Sequence, residues 1–369
     1  MWTNLAKQLQ IGQHSFVVPD EVNPQSLLLI LLTVGVFILP QFTQAQSPEL
    51  SIRDFSSSQI KKGVRSIGFG GDGATWGNYG LVWKDAGTAL LDYGNTDYTN
   101  GNDPQFAALG VTSPPLWHQL AIYVIAMYQE TNDMRFSAKS PGLGPSAVPL
   151  IGKGLDRAIF SKIAMPLGKG VSVGVLLAGE TSQFHATAAA NSNQSVQYST
   201  QWRPSGGFGV AWQPRKTMLF GFRGLLNNDR ERRTDPAGTT EGTAHSAEYR
   251  LGASISPWKG GWLDGGATRL ERHNTLAGTH TVAYHPNLGF EQSLRRDSMA
   301  FRFGLDETSP TAGFTLKFSP LKLDVAYVDN LARSRVGNLF GSHSNSLLAT
   351  LTLDYRAKRH PPAHTGTPQ

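Results

Sequence analysis

Met299-Ala-Phe-Arg-Phe-Gly-Leu-Asp306 and the stretch from Thr311 to Tyr327, TAGFTLKFSPLKLDVAY, repeat with a period of two. In the first, Met299, Phe301, Phe303 and Leu305 form one face, and Ala300, Arg302, Gly304 and Asp306 the other. In the second, Ala312, Phe314, Leu316 and Phe318 alternate with Gly313, Thr315 and Lys317; after Ser319-Pro320, Leu321, Leu323, Val325 and Tyr327 alternate with Lys322, Asp324 and Ala326. Successive side chains of a strand point to opposite sides, so each run is a strand with one wholly apolar face. The other face mixes Gly, Ala and Thr with single charges. Such a face suits the crowded polar interior of a closed barrel whose apolar side meets lipid, where a charge costs about 2–4 kcal/mol at the midplane. Closure also answers the backbone, because lipid offers no partner to an open sheet edge.

Outward from this core the pattern repeats. Tyr249, Leu251, Ala253 and Ile255 share a face, as do Phe208, Val210 and Trp212. Short turns are expected at Pro166–Gly170, Gln213–Lys216, Pro257–Gly261, Arg295–Asp297 and Ser319–Leu321. Longer polar connections are expected near 181–200, 228–245, 274–279, 306–311 and 330–345. Alternation of short and long connections marks a transmembrane barrel, with the short ones periplasmic. By that parity the last strand, Ser346–Arg356, descends and leaves the carboxyl end in the periplasm. Its Leu351, Leu353 and Tyr355 share a face and resemble the terminal signal read by barrel-assembly machinery; a polar tail, 357–369, follows.

Composition agrees. The chain has 40 Gly and 10% aromatic residues but only 16% charged residues, against roughly 25% in soluble domains. No cysteine is present, which removes disulfides, thiolate metal sites and cysteine nucleophiles. The net charge of +6 comes from scattered Lys and Arg rather than a basic run, so nucleic acid is not expected as a partner. Leu27–Leu39, LLLILLTVGVFIL, is an apolar core followed by Pro40 and Thr43-Gln44-Ala45. That is the pattern of a secretory signal cut after Ala45, here with a long region before the core; an uncleaved anchor is the alternative. The expected organisation is a signal at 1–45, a plug-like segment at 46–118 with a possible first hairpin between Gly63 and Gly94, and a barrel at 119–356. The fold class is all-β: an antiparallel up-and-down transmembrane barrel of about fourteen strands (12–14), in the bacterial outer membrane.

Gly63-Val-Arg-Ser-Ile-Gly-Phe-Gly-Gly71, with the closing strands Thr311–Leu331 and Phe340–Tyr355, resembles the PorV and FadL-like outer-membrane proteins. The resemblance implies an N-terminal plug, carried here by Arg65, Gly68, Gly70 and Gly71, and passage of hydrophobic small molecules, often towards a lateral opening. Its PorV branch implies instead a secretion-linked adaptor that binds exported proteins. The segment Asp72-Gly-Ala-Thr-Trp76-Gly77 departs from the family pattern, and the Asn-Pro-Ala-Gly of many members is missing. A soluble periplasmic β-sandwich is the third reading.

Other constellations weigh less. Gly68, Gly70 and Gly73 fit a dinucleotide fingerprint, but Trp-Gly-Asn-Tyr-Gly will not start the helix such a site needs. Asp92, Asp97 and Asp103 lack the spacing of a calcium loop. Arg230, Arg232 and Arg233 lie in an expected extracellular loop and suit lipopolysaccharide phosphates. No nucleophile elbow is present, and the ten histidines show no clustered ligand spacing, so no catalytic residue, metal or cofactor is assigned and no enzyme activity is expected. The expected partners are outer-membrane lipid and lipopolysaccharide, the assembly machinery, and a hydrophobic small molecule or an exported protein.

Overall fold

A computed structural model describes residues 87–98, 105–113, 120–140, 143–201, 203–276, 278–294, 298–306, 309–329 and 344–355. The expected signal, the plug candidates Arg65, Gly68, Gly70 and Gly71, and the tail at 357–369 lie outside them.

The described residues form one antiparallel sheet of fifteen strands. In chain order these are β1 (Thr88–Tyr98), β2 (Gln105–Thr112), β3 (Ala121–Ser140), β4 (Gly144–Gly168), β5 (Val171–Ala188), β6 (Asn191–Thr200), β7 (Arg203–Arg215) and β8 (Met218–Asp235). They continue as β9 (Gly238–Ile255), β10 (Gly261–Asn274), β11 (Thr279–Leu294), β12 (Met299–Asp306), β13 (Ser309–Phe318), β14 (Leu321–Asp329) and β15 (Ser344–Asp354). β6 and β7 share one place, β6 pairing with the upper and β7 with the lower parts of β5 and β8. The sheet therefore has fourteen positions, and it closes where β1 pairs with β15 from Thr88↔Asp354 to Tyr98↔Ser344. This is a single closed sheet, not the two packed sheets of a sandwich.

An even number of positions brings both ends of the barrel to one rim. There Tyr355 N donates to Gly87 O at 3.2 Å, and the Tyr355 hydroxyl reaches across β1 to Thr112 O at 2.6 Å. The terminal aromatic side chain thus ties the first hairpin to the last strand. That hairpin, β1–β2, lies at 88–112, later than the Gly63–Gly94 stretch expected to hold it.

The apolar faces read from sequence point outward. Phe303, Phe318 and Leu351 are exposed, and lumen-facing Arg302 is buried. A belt of outward tyrosines (Tyr93, Tyr128, Tyr284 and Tyr327) marks the upper edge of the apolar zone. Tyr128 donates to Glu130 at its polar margin, 2.9 Å. Trp212, stacked on Phe220 at 5.4 Å, and Phe318 lie near the lower edge. Along β14 the belt runs from Leu321 to Tyr327, about 20 Å at roughly 3.3 Å per residue, close to the ~25 Å apolar band of outer-membrane barrels. The fold and its outer face are those of an outer-membrane β-barrel.

The turns at 169–170, 256–260 and 319–320 fall where expected. The polar connections expected near 181–200 and 228–245 do not: β5–β6 and β8–β9 run straight through them and reverse at residues 189–190 and 236–237. Above the apolar belt the outer face of a strand meets water, so it is polar there and reads as loop in sequence. Arg230, Arg232 and Arg233 consequently sit on β8, not in a loop.

Three cross-strand phenylalanines lie over glycines that face them: Phe106 over Gly94, Phe184 over Gly152 and Phe208 over Gly224. A Cβ on Gly94 would stand 1.9 Å from the Phe106 ring. Gly94→Ala is expected to displace that ring and cost about 1–3 kcal/mol, read as a lower temperature for loss of the compact form on unboiled gels. Phe303→Arg, on the lipid face, is expected to cost about 2–4 kcal/mol in refolding into vesicles.

Candidate functional site

The lumen has two unlike walls. Over β2–β5 a stretch of the inward face is apolar and is joined by Leu225 of β8, with Ala108, Ile125, Met127, Phe160, Leu176 and Leu225 buried together and Leu90, Phe106 and Tyr123 packed against them. Over β8–β14 it is ionic. Arg302 Nε donates to Glu291 at 2.5 Å, and its Nη2 contacts Thr315 and reaches Asp324 at 3.3 Å. Lys322 joins Asp324 at 2.9 Å. Farther round, Glu248 accepts from Arg223 (3.2 Å) and Arg250 (2.6 Å), and Asp264 accepts from Ser254. In the register of the closing strands, Arg302 stands beside Glu291 and Gly313, so each charge meets its partner through a neighbouring strand. Such buried pairs contribute little as units, but losing one member strands the other.

Asp92, weighed for calcium, lies on β1 with its side chain buried. Among the described residues no group of three or more His, Asp or Glu is placed to hold a metal ion. Arg233 faces inward and is buried, 3.8 Å from Asp235, so it is not on the outer surface assigned to it. Arg230 and Arg232 do face out, and both hold Glu241, at 2.6 Å each. The Arg232 hydrogen bond and the Arg230 charge keep the Glu241 carboxyl below its ordinary range.

One seam of the barrel is incomplete. Between Ser199, opposite Gln183, and Arg203, opposite Glu180, the chain takes four steps against three on β5. The extra residue is a bulge, and it flips the inward face from even positions in β6 to odd positions in β7. Thr200 serves the gap on the β5 side, its Oγ1 accepting from Ser182 N and its carbonyl from the Thr181 hydroxyl. On that side pairing resumes at Arg203, and the Ser205 hydroxyl donates to Glu180 at 3.3 Å. Towards β8 it does not. Among the described residues the ladder stops at Thr200↔Glu231 and restarts at Gly206↔Leu226, with one backbone bond between, Gln201 N to Arg230 O at 3.3 Å. Pro204 has no N–H to give to a ladder, and Gly206 and Gly207 carry no side chain to cover the wall.

A cavity of about 630 Å³ lies at this seam. Its lining combines outward Val175, Leu177, Phe208 and Leu226 with inward positions Leu176 and Asn227, so both faces of the sheet contribute. Phe208 is fixed by Gly224 beneath it and by Phe222, 5.6 Å away. A Cβ at Gly206 would meet only Leu176 O, at 3.9 Å, so the floor is open at that residue. Sequence reading missed the seam, although Pro204 and Gly206-Gly207 inside a strand pattern were the available signal.

No protein-family model and no curated protein matches the sequence. Solved structures do match the fold. A TodX monoaromatic hydrocarbon channel mutant (deltaS2) superposes with a TM-score of 0.56 at 9% identity, over 81% of this chain and 100% of that one. The CymD monoaromatic hydrocarbon channel gives 0.51 at 14% identity, over 80% and 98%. The toluene transporter TodX of Pseudomonas putida gives 0.50 at 9%, over 84% and 100%. The likeness is one of fold, and it agrees with the outer-membrane barrel read from the sequence.

Arg302→Met would leave Glu291 and Asp324 without that cation in a buried wall. A loss of about 3 kcal/mol or more is expected, measured as earlier denaturant unfolding in detergent, while Arg230→Met on the exposed rim is expected to shift it by less than about 1 kcal/mol.

Proposed function

We propose that this protein is an outer-membrane channel for hydrophobic small molecules, which leave the lumen sideways through the seam between β7 and β8. The observation that carries this reading is a largely apolar cavity placed where the ladder between β7 and β8 is interrupted. A hydrophobic solute gains roughly 25 cal/mol for each Å² of apolar surface taken from water. The apolar lumen wall of β2–β5 and β8 offers that surface, and Leu176 and Leu225 belong to it on the two sides of the seam. A solute moving from Leu176 into the cavity lined by Val175, Leu177, Phe208 and Leu226 exchanges one apolar lining for another, and then lipid. It need not cross the polar rim.

Passage in this reading is passive, driven by partition into the bilayer. The segment before β1, with Arg65, Gly68, Gly70 and Gly71, serves as the plug whose rearrangement admits the solute from outside. The three fold neighbours are described as monoaromatic hydrocarbon channels or a toluene transporter, which makes small aromatic hydrocarbons the first cargo to try. The ionic wall has the complementary task of keeping the lumen rigid, because its pairs tie β11 through β14 together.

Filling the cavity is the test. A Cβ at Gly206 meets no atom closer than Leu176 O at 3.9 Å, and Gly206→Phe should reduce toluene uptake by cells carrying the protein about tenfold, with barrel content in the outer membrane unchanged. Uptake equal to wild type, with the side chain in place, would remove the seam as the route. No uptake above empty cells by the wild type would remove hydrocarbon passage.

A further inference from the structure

We infer that the outer wall beside the seam holds one phosphate-bearing glycolipid of the outer leaflet, its head on a row of histidines and one chain in the cavity below. The inference shares a cavity with the proposed route but does not depend on molecules passing through it.

The register builds the row. Asn228 of β8 stands opposite His245 of β9, His245 opposite His273 of β10, and His273 opposite His280 of β11. All four are exposed on the outer face. The His273 and His280 rings are 6.0 Å apart. Neighbouring strands lie about 4.8 Å apart, so four consecutive strands offer polar nitrogen over a span of about 15 Å, the dimension of a phosphorylated disaccharide head. An imidazole offers an N–H to a phosphate oxygen whether it is neutral or protonated.

The height of the row is that of lipid heads. One step down the same strands, Leu226, Ala247, Glu271 and Val282 face outward, and Tyr249, Arg269 and Tyr284 follow below them. The row therefore stands two steps above the tyrosine edge of the apolar belt. It lies at the end of the barrel opposite the chain ends at Thr88 and Asp354, which is the external side of such barrels.

The cavity joins the two parts of an amphiphile. Its lining includes Asn228, His245 and His273 at the top and Val175, Leu177, Phe208 and Leu226 beneath. The carboxylate there, Glu271, is engaged by Arg269 at 2.8 Å and by His280 at 3.2 Å, so it orients one histidine instead of repelling an anion unaided. Above the row, Arg230 and Arg232 bring two positive charges against the single Glu241, leaving the collar cationic. Charge, height and an apolar slot thus coincide on one face of the wall.

The test uses the full chain in nanodiscs of phosphatidylcholine, given limiting intact or dephosphorylated lipopolysaccharide, with lipid retained per barrel counted by native mass spectrometry. Wild type should retain the intact lipid and bind the dephosphorylated one about tenfold less, the effect of losing a charge-assisted hydrogen bond or two. The combined variant His245→Ala, His273→Ala and His280→Ala should match that loss. Equal retention of intact and dephosphorylated lipid by wild type would overturn the proposal without recourse to any variant. Full retention by the triple variant would overturn it too. Toluene uptake by cells carrying the same proteins separates the two readings, since failed uptake with intact lipid retention counts against the route alone.

Discussion

Every backbone N–H and C=O within the apolar belt must find a partner inside the protein, because hydrocarbon offers none. The pairing of β1 with β15 meets that demand, since it turns an open sheet with two bare edges into a closed wall. Other features follow from it. Closure fixes one face outward, so Phe303, Leu351 and their neighbours can be apolar without a core to cover them. It also fixes the other face inward, where Arg302 is forced together with Glu291 and Asp324 and pairs with both.

The same constraint gives meaning to the seam. A gap in the ladder within or beside lipid leaves backbone groups to be served some other way, and a barrel keeps such a feature at a cost. Here the bulge is locked to β5 through Thr200, Arg203 and Ser205 but left loose towards β8. The asymmetry confines the opening to one side of one strand. Phe208, seated on Gly224, gives that opening an apolar wall. The two-walled lumen fits the same account: the ionic half holds the cylinder, and the apolar half carries a hydrophobic solute to the seam.

How much of this was legible in the sequence depended on what sets each feature. The closing strands were legible because lipid demands an apolar face at each second residue, and Met299–Leu305 and Leu321–Tyr327 obey it without exception. The turn at Ser319–Leu321 and the last strand were legible for the same reason. The upper parts of β5, β6, β8 and β9 were not, because both faces are polar there and period two vanishes from the hydropathy; Arg230 and Arg232 were read as loop on that account. The hairpin at 88–112 was hidden by Asp-Tyr-Gly-Asn-Thr-Asp, a turn-like composition inside β1. Arg233 turned inward through a parity that only the register of β8 reveals. The histidine row and the Arg302 network join residues on neighbouring strands whose alignment no single strand encodes.

The central claim is that the seam opens for cargo, and a reversible staple tests it most directly. The chain has no cysteine, so Ser205→Cys with Asn227→Cys, one step beyond the last paired rung Gly206↔Leu226, would place a single disulfide across the gap. Toluene uptake should fall when the pair is oxidised and return on reduction, in the same population of barrels. Uptake that is indifferent to the state of the disulfide, once its formation is confirmed, would contradict the account.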